Sequence, residues 1–326
     1  MDMYQKREMR KNKKMNENTK SLPSTSINWF PGHMVKTKKQ IEENLKLIDV
    51  VIELIDARIP ISSRNPDIEK IIQGKKRIII LNKSDLSDEK ENEKWKQKFI
   101  KNNMPTCIVN SNTGDGIAKV LKQIEEMASD NEKNIAKGRI GKSIRVMILG
   151  IPNVGKSSFI NRIAKKNSAE VGNKPGVTKN KQWIRVNNKI ELLDTPGVLW
   201  PKMSDSNVSL HLAYTGSIKD EILDKVEIAY QLFKYLIENY QEMIIKRYGI
   251  EKEQIDNILK QDNAENENIY EVMELIGKKR GAIISGGQVD PEKIAKIILD
   301  DFRTGKIGKI TIEKVWKYWQ LKQYRI

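Results

Sequence analysis

The chain has 326 residues, 38% of them hydrophobic, with 59 Lys and Arg against 43 Asp and Glu, a formal charge of +16 and one cysteine. That length and apolar content support a core in each of two domains and exclude a wholly disordered chain. The single Cys107 excludes an intramolecular disulfide and a Cys-rich metal site, and no apolar run approaches the ~20 residues that cross a bilayer, so a cytoplasmic protein with no membrane partner is expected.

Residues 1–26 hold seven basic and three acidic residues and end in the polar cluster Ser21 to Ser26, which reads as a flexible basic extension. Order is expected from about Asn28. The apolar runs Val50 to Ile55 and Ile78 to Leu81 are short and β-branched, as in buried parallel strands. Cys107 to Val109, Val146 to Leu149 and Ile190 to Leu193 repeat the signal, with Trp183 to Val186 as an edge partner. Segments 35–48, 88–101, 116–129 and 156–166 have helical spacing or Lys/Glu content, and 130–142 reads as a linker. The fold class predicted for 27–203 is thus α/β, a parallel sheet with flanking helices. Beyond about Pro201 the pattern changes to amphipathic helices, notably 219–247 and 290–302, so 204–326 reads as a smaller all-α domain. The last stretch, 303–326, has seven basic residues against Glu313 alone. A polyanionic partner such as RNA would account for the basic excess; a Lys-, Asn- and Ile-rich proteome is the competing explanation.

Gly150-Ile151-Pro152-Asn153-Val154-Gly155-Lys156-Ser157 matches the phosphate-binding pattern G-x-x-x-x-G-K-[ST] and lies between a strand and a helix, where it must lie to work. Backbone N–H groups of this loop, with Ser158 beside it, suit phosphate oxygens; Lys156 suits the β- and γ-phosphates, and the Ser157 hydroxyl suits Mg²⁺. Downstream, strand 190–193 runs into Asp194-Thr195-Pro196-Gly197, which offers a carboxylate to the Mg²⁺ shell and the Gly197 N–H to a γ-phosphate. Between them, Thr178 in Pro175-Gly176-Val177-Thr178 is the candidate switch threonine, on position alone. Asn82-Lys83-Ser84-Asp85 follows strand 78–81 and matches the guanine-reading N-K-x-D pattern, whose aspartate accepts from the guanine edge and penalises adenine. Asn110, Ser111 and Asn112 follow the next strand and can frame the base.

In this chain the base-reading motif precedes the phosphate loop, the reverse of the usual order, which defines a circular permutation. The motifs resemble those of the circularly permuted GTPase family (YlqF/YawG type) of ribosome assembly factors over roughly 27–312. Further matching segments are Trp29-Phe30-Pro31-Gly32-His33-Met34, Asp56-Ala57-Arg58-Ile59-Pro60, Ser62-Ser63-Arg64-Asn65-Pro66, Leu199-Trp200-Pro201, Lys279-Arg280-Gly281 and Ser285-Gly286-Gly287. The resemblance implies a Ras-like P-loop GTPase domain followed by an RNA-contacting helical domain. It implies GTP hydrolysis with a slow intrinsic rate, stimulated by the large ribosomal subunit precursor at a late assembly step. It also implies a ribosome-associated protein, which we expect to be monomeric.

Val198 stands where many GTPases place a water-orienting glutamine, and the resemblance assigns that role to His33. A loop histidine packed beside Trp29 and Phe30 is the alternative. Asn153 resembles the phosphate-loop asparagine of cation-dependent GTPases, which implies K⁺ beside the phosphates in addition to Mg²⁺; a turn-capping asparagine is the alternative. Arg58 and Arg64 read either as nucleotide or RNA contacts or as solvated loop residues. Trp316, Tyr318, Trp319 and Tyr324, interleaved with Lys314, Lys317 and Lys322, read either as an RNA-stacking tail or as a packed terminal helix. For the whole chain, the alternative function is an RNA-binding scaffold that uses GTP only as a ligand.

Overall fold

The run Val50 to Ile55 lies in a central strand. In the computed structural model, which describes residues 33–72, 74–132, 143–166, 183–195, 197, 206–261 and 265–316, β1 (Val50–Asp56) is buried at every position. It pairs in parallel with β2 (Lys76–Asn82) on one side and β4 (Ile144–Leu149) on the other. β3 (Thr106–Ile108) extends the sheet beyond β2, β6 (Ile190–Leu193) extends it beyond β4, and β5 (Trp183–Arg185) closes that edge antiparallel to β6. The order is β3-β2-β1-β4-β6-β5.

Helices cover both faces, as parallel strands require. α1 (His33–Leu45) places Ile41 and Leu45 against Val51, Met147 and Leu149, together with Ile68 of α2 (Pro66–Ile71). α3 (Glu89–Lys101) covers Ile55, Ile79 and Leu81 with Trp95 and Phe99. Its start is fixed by Asp88, whose carboxylate accepts from the N–H groups of Lys90 and Glu91. Strand alternation sends Ile52, Leu54 and Ile148 to the opposite face. They are buried, as are Val120 and Ile124 of α4 (Ile117–Glu132) and Phe159 and Ile163 of α5 (Lys156–Lys166).

The chain divides into two compact units, and 204–310 forms the second. Its regular elements among the described residues are helices: α6 (Ser206–Tyr214), α7 (Lys225–Tyr248), α8 (Lys252–Leu259), α9 (Glu265–Lys279) and α10 (Pro291–Arg303), with an isolated bridge between Ile283 and Val289. The single helix expected over 219–247 is broken. Asp220–Ile222 forms one 3₁₀ turn, and α7 begins only after Asp224, whose side chain accepts from Val226 and Glu227 N–H groups. Forked ion pairs then tie the helices, Arg247 to Asp301 at 2.9 and 2.8 Å and Arg303 to Asp220 at 2.9 and 2.8 Å.

A further difference from the sequence reading concerns the chain after 310. Residues 204–326 were grouped as one domain, yet 311–316 belong to the sheet unit. The Asp88 N–H donates to Thr311 Oγ1 at 3.0 Å, the Ile312 N–H to the Arg58 carbonyl at 2.9 Å, and the Trp95 indole N–H to the Glu313 carbonyl at 2.7 Å. Val315 joins the core beneath α3. Of the aromatic residues in the tail, Trp316 is 54% exposed, and Tyr318, Trp319 and Tyr324 lie outside the described residues.

Candidate nucleotide site

The segment Gly150–Ser157 joins the end of β4 to the start of α5, and Asn82–Asp85 leaves the end of β2, two positions away in the sheet. Both stand at the carboxyl edge of the parallel strands, where open α/β sheets hold ligands. Asn82 connects them. Its side-chain N–H donates to the Val154 carbonyl at 2.8 Å, and its Oδ1 accepts from the Ser111 hydroxyl at 2.7 Å. Three chain segments far apart in sequence are thereby held by one buried amide. Gly155 is glycine for the same reason: its φ is +95°, and a Cβ there would stand 2.5 Å from Asn82 Nδ2.

On the base side, Asn110 Oδ1 accepts from the Asn112 and Thr113 N–H groups at 2.9 and 3.3 Å, shaping the loop that Ser111 anchors. Asn112 makes a long contact of 3.4 Å to the Asp85 carboxylate. Arg162 on α5 donates to the Ser111 carbonyl at 3.1 Å; no motif marks this residue, and only its helical position one and a half turns past the phosphate loop hints at the contact. Lys83 adopts φ +60° and places its ammonium 3.1 Å from Asp56.

On the phosphate side, Lys156 folds its ammonium over the loop, donating to the carbonyls of Gly150 and Ile151 at 3.1 and 3.0 Å. Burial pushes its pKa down to about 8, against the opposing charge of Asp194. Asp194 follows the end of β6, and burial raises its carboxyl while Lys156 lowers it. Gly197 lies against the same group: a Cβ there would come within 2.9 Å of Lys156 Nζ and 3.0 Å of the Pro152 backbone. Ser157 and Ser158 are exposed in the first turn of α5, and Asn153 is exposed with φ +58°. A hydroxyl at Ser157 and one carboxylate at Asp194 suit Mg²⁺, which keeps its other positions for phosphate oxygens and water.

Arg58 was read as a solvated loop residue or as a nucleotide or RNA contact. It is neither: it is 1% exposed and grips Asp56 with Nε and a terminal nitrogen at 2.9 and 2.8 Å. Arg64 is likewise engaged, 3.2 Å from the buried Glu53 and 2.9 Å from Glu69. His33 opens α1, but its side chain lies outside the described residues, as do Thr178 and Val198 entirely.

Comparison with known proteins agrees with this architecture. The family profile described as a 50S ribosome-binding GTPase matches residues 145–273, and the RsgA GTPase profile matches 70–203. The chain is 46% identical to ribosome biogenesis GTPase A of Bacillus licheniformis over 88% of its own length and 98% of the relative's. It is 44% identical to the Bacillus pumilus protein of the same name, covering 89% and 99%. GNP-bound YlqF from T. maritima superposes with a TM-score of 0.57 at 27% identity, covering 86% of this chain and 98% of that one.

The permuted order of motifs on a Ras-like sheet, with these matches, defines a circularly permuted P-loop GTPase whose substrate is GTP. More narrowly, the chain belongs to the ribosome biogenesis GTPase A family. Among the described residues no helix is long and apolar enough to cross a membrane.

Proposed function

We propose that this GTPase acts on a late precursor of the large ribosomal subunit, binds it in the GTP state, hydrolyses GTP when the subunit completes the active site, and then leaves. The observation that carries the reading is the match at 46% identity, along nearly its whole length, to a relative named ribosome biogenesis GTPase A. The 50S ribosome-binding profile, spanning the phosphate loop and part of the helical unit, supports the choice of subunit. The basic charge supports an rRNA contact.

In this reading Asp85 reads guanine, Asn110, Ser111 and Asn112 frame it, and Asn82 and Lys83 support the turn. The backbone of Asn153, Val154, Gly155 and Ser158 holds phosphate, and Lys156 neutralises the β- and γ-oxygens. Ser157, Thr178 and Asp194 would hold Mg²⁺, which would supply charge to polarise the phosphoryl group; the Gly197 N–H senses the γ-phosphate, and Asn153 would hold K⁺. With Val198 unable to orient water, His33 supplies that function once the subunit places it. The protein is monomeric, cytoplasmic and ribosome-associated.

Co-sedimentation with isolated large subunits tests the reading. Retention with a non-hydrolysable GTP analogue and release with GDP is expected, together with faster turnover in the presence of the subunit. Nucleotide-independent sedimentation with unstimulated turnover would favour a scaffold for which GTP is only a ligand.

A further inference from the structure

The Asp56-Ala57-Arg58 segment has no role in the site above, yet it contains the most deeply buried ion pair among the described residues. Asp56 and Arg58 are each 1% exposed. The Asp56 carboxylate accepts three bonds from Arg58, from the backbone N–H at 3.0 Å and from two guanidinium nitrogens, and its Oδ2 also faces Lys83 Nζ at 3.1 Å. Burial alone would raise this carboxyl, but the two cations outweigh it and hold it well below the usual carboxylate range. Of the three charged groups, Lys83 alone belongs to the base-reading turn. Its stem runs toward the phosphate loop, with Cε 3.9 Å from the point a Cβ on Gly155 would occupy.

The loop that carries Arg58 is itself held from the far end of the chain. The Arg58 carbonyl accepts from the N–H groups of Ile312 and Glu313 at 2.9 and 3.3 Å. The Glu313 carboxylate, 1% exposed, accepts from the Ile61 N–H at 2.6 Å, from the Ser62 N–H at 3.1 Å and from the Ser62 hydroxyl. A buried carboxylate satisfied by backbone N–H groups fixes a loop tightly, because loss of the charge leaves those donors unpaired.

We propose that Asp56 and Glu313 are positioning residues for guanine-nucleotide binding: Asp56 holds the Lys83 ammonium in place, and Glu313 holds the loop that holds Asp56. The inference rests on the reading of Asn82–Asp85 as the base-reading turn. Because the chain of contacts ends on the base side of the site, its loss weakens GDP and GTP alike. A defect in the switches, which touch the γ-phosphate, would instead distinguish the two nucleotides or slow the chemical step.

The test uses the full chain and fluorescent GDP and GTP analogues. Asp56→Asn is expected to raise both dissociation constants about tenfold and Glu313→Gln about threefold. KM rises with them, while kcat at saturating GTP stays within about twofold. Because Glu313 acts through Lys83, Glu313→Gln added to Lys83→Met is expected to cost nothing further, and this cycle carries the test if Asp56→Asn fails to fold. Wild-type dissociation constants in folded Asp56→Asn and Glu313→Gln, weakening of GTP alone, or additive losses in the Lys83→Met cycle would overturn the proposal. An Asp85→Asn control separates it from its premise. If Asp85→Asn binds GDP at full strength, the base-reading turn falls and this inference with it; if Asp85→Asn weakens binding while the other variants do not, only the positioning role falls.

Discussion

Asn82 at the end of β2 donates to the carbonyl of Val154 in the phosphate loop at 2.8 Å, across the intervening strand β1. The base side and the phosphate side of the site are therefore joined directly, and a disturbance at their seam reaches both.

Gly155→Ala tests that seam. The substituted Cβ would stand 2.5 Å from Asn82 Nδ2 at a φ of +95°, so either the loop or the amide must move. We expect a folded protein whose GDP and GTP dissociation constants both rise about a hundredfold. Equilibrium binding by fluorescence checks it; a loss under about threefold would mean the seam is compliant.

Binding should also be linked to protons. Lys156 has its pKa pushed down to about 8 in the free protein, and bound phosphate favours its charged form, raising the value in the complex. The sign follows: binding takes up a proton where the free protein has lost one, so GDP affinity falls as pH rises above about 8, by up to about tenfold per unit. Calorimetry at pH ~9 in buffers of different ionisation enthalpy should report uptake approaching one proton, against nearly none at pH ~6.5. Absence of uptake at the higher pH would refute it.

His33→Ala should lose the subunit-stimulated part of turnover by about a hundredfold, the order expected for a group that handles the attacking water. The comparison is single-turnover hydrolysis with and without large subunits. Equal stimulation of wild type and variant would assign water activation elsewhere.

Replacing Na⁺ by K⁺ at matched ionic strength should speed turnover about fivefold or more, and Asn153→Ala should abolish the difference. The physical basis is a monovalent charge beside the phosphates that stands in for the charge of an arginine finger. Equal rates in the two salts would remove K⁺ from the site.

Much of this was legible in the sequence because the signals are local. The run from Val50 to Ile55 announces a buried strand without reference to the rest of the chain, and the loop from Gly150 to Ser157 carries its chemistry in eight consecutive residues. Arg58 was misread because a charged residue between a strand and a proline resembles surface, and its pairing with Asp56 depends on burial supplied by other segments. Glu313 was invisible for a stronger reason. As the lone acid in a basic tail it reads as solvated, whereas its donors, Ile61 and Ser62, lie 252 and 251 positions earlier. No window of local sequence contains that relationship. The break before α7 was missed because amphipathic spacing continues across Asp224, where the capping carboxylate, not the apolar pattern, sets the start.

The return of residues 311–316 to the sheet unit bears on how the protein is made. Helices α6 to α10 are in effect an insertion within the GTPase unit, since part of that unit's core arrives after them in the chain. During synthesis the nucleotide-binding sheet can assemble its strands early, but the loop between β1 and α2 waits for Glu313 to leave the ribosome before it is fastened. On the role proposed for Glu313, full nucleotide affinity then waits for residue 313, and a nascent chain that has not reached it binds nucleotide more weakly however well its motifs are formed. A fragment ended at 203 should show the same weakness, and the natural cut for an isolated GTPase unit removes the insertion and keeps the tail.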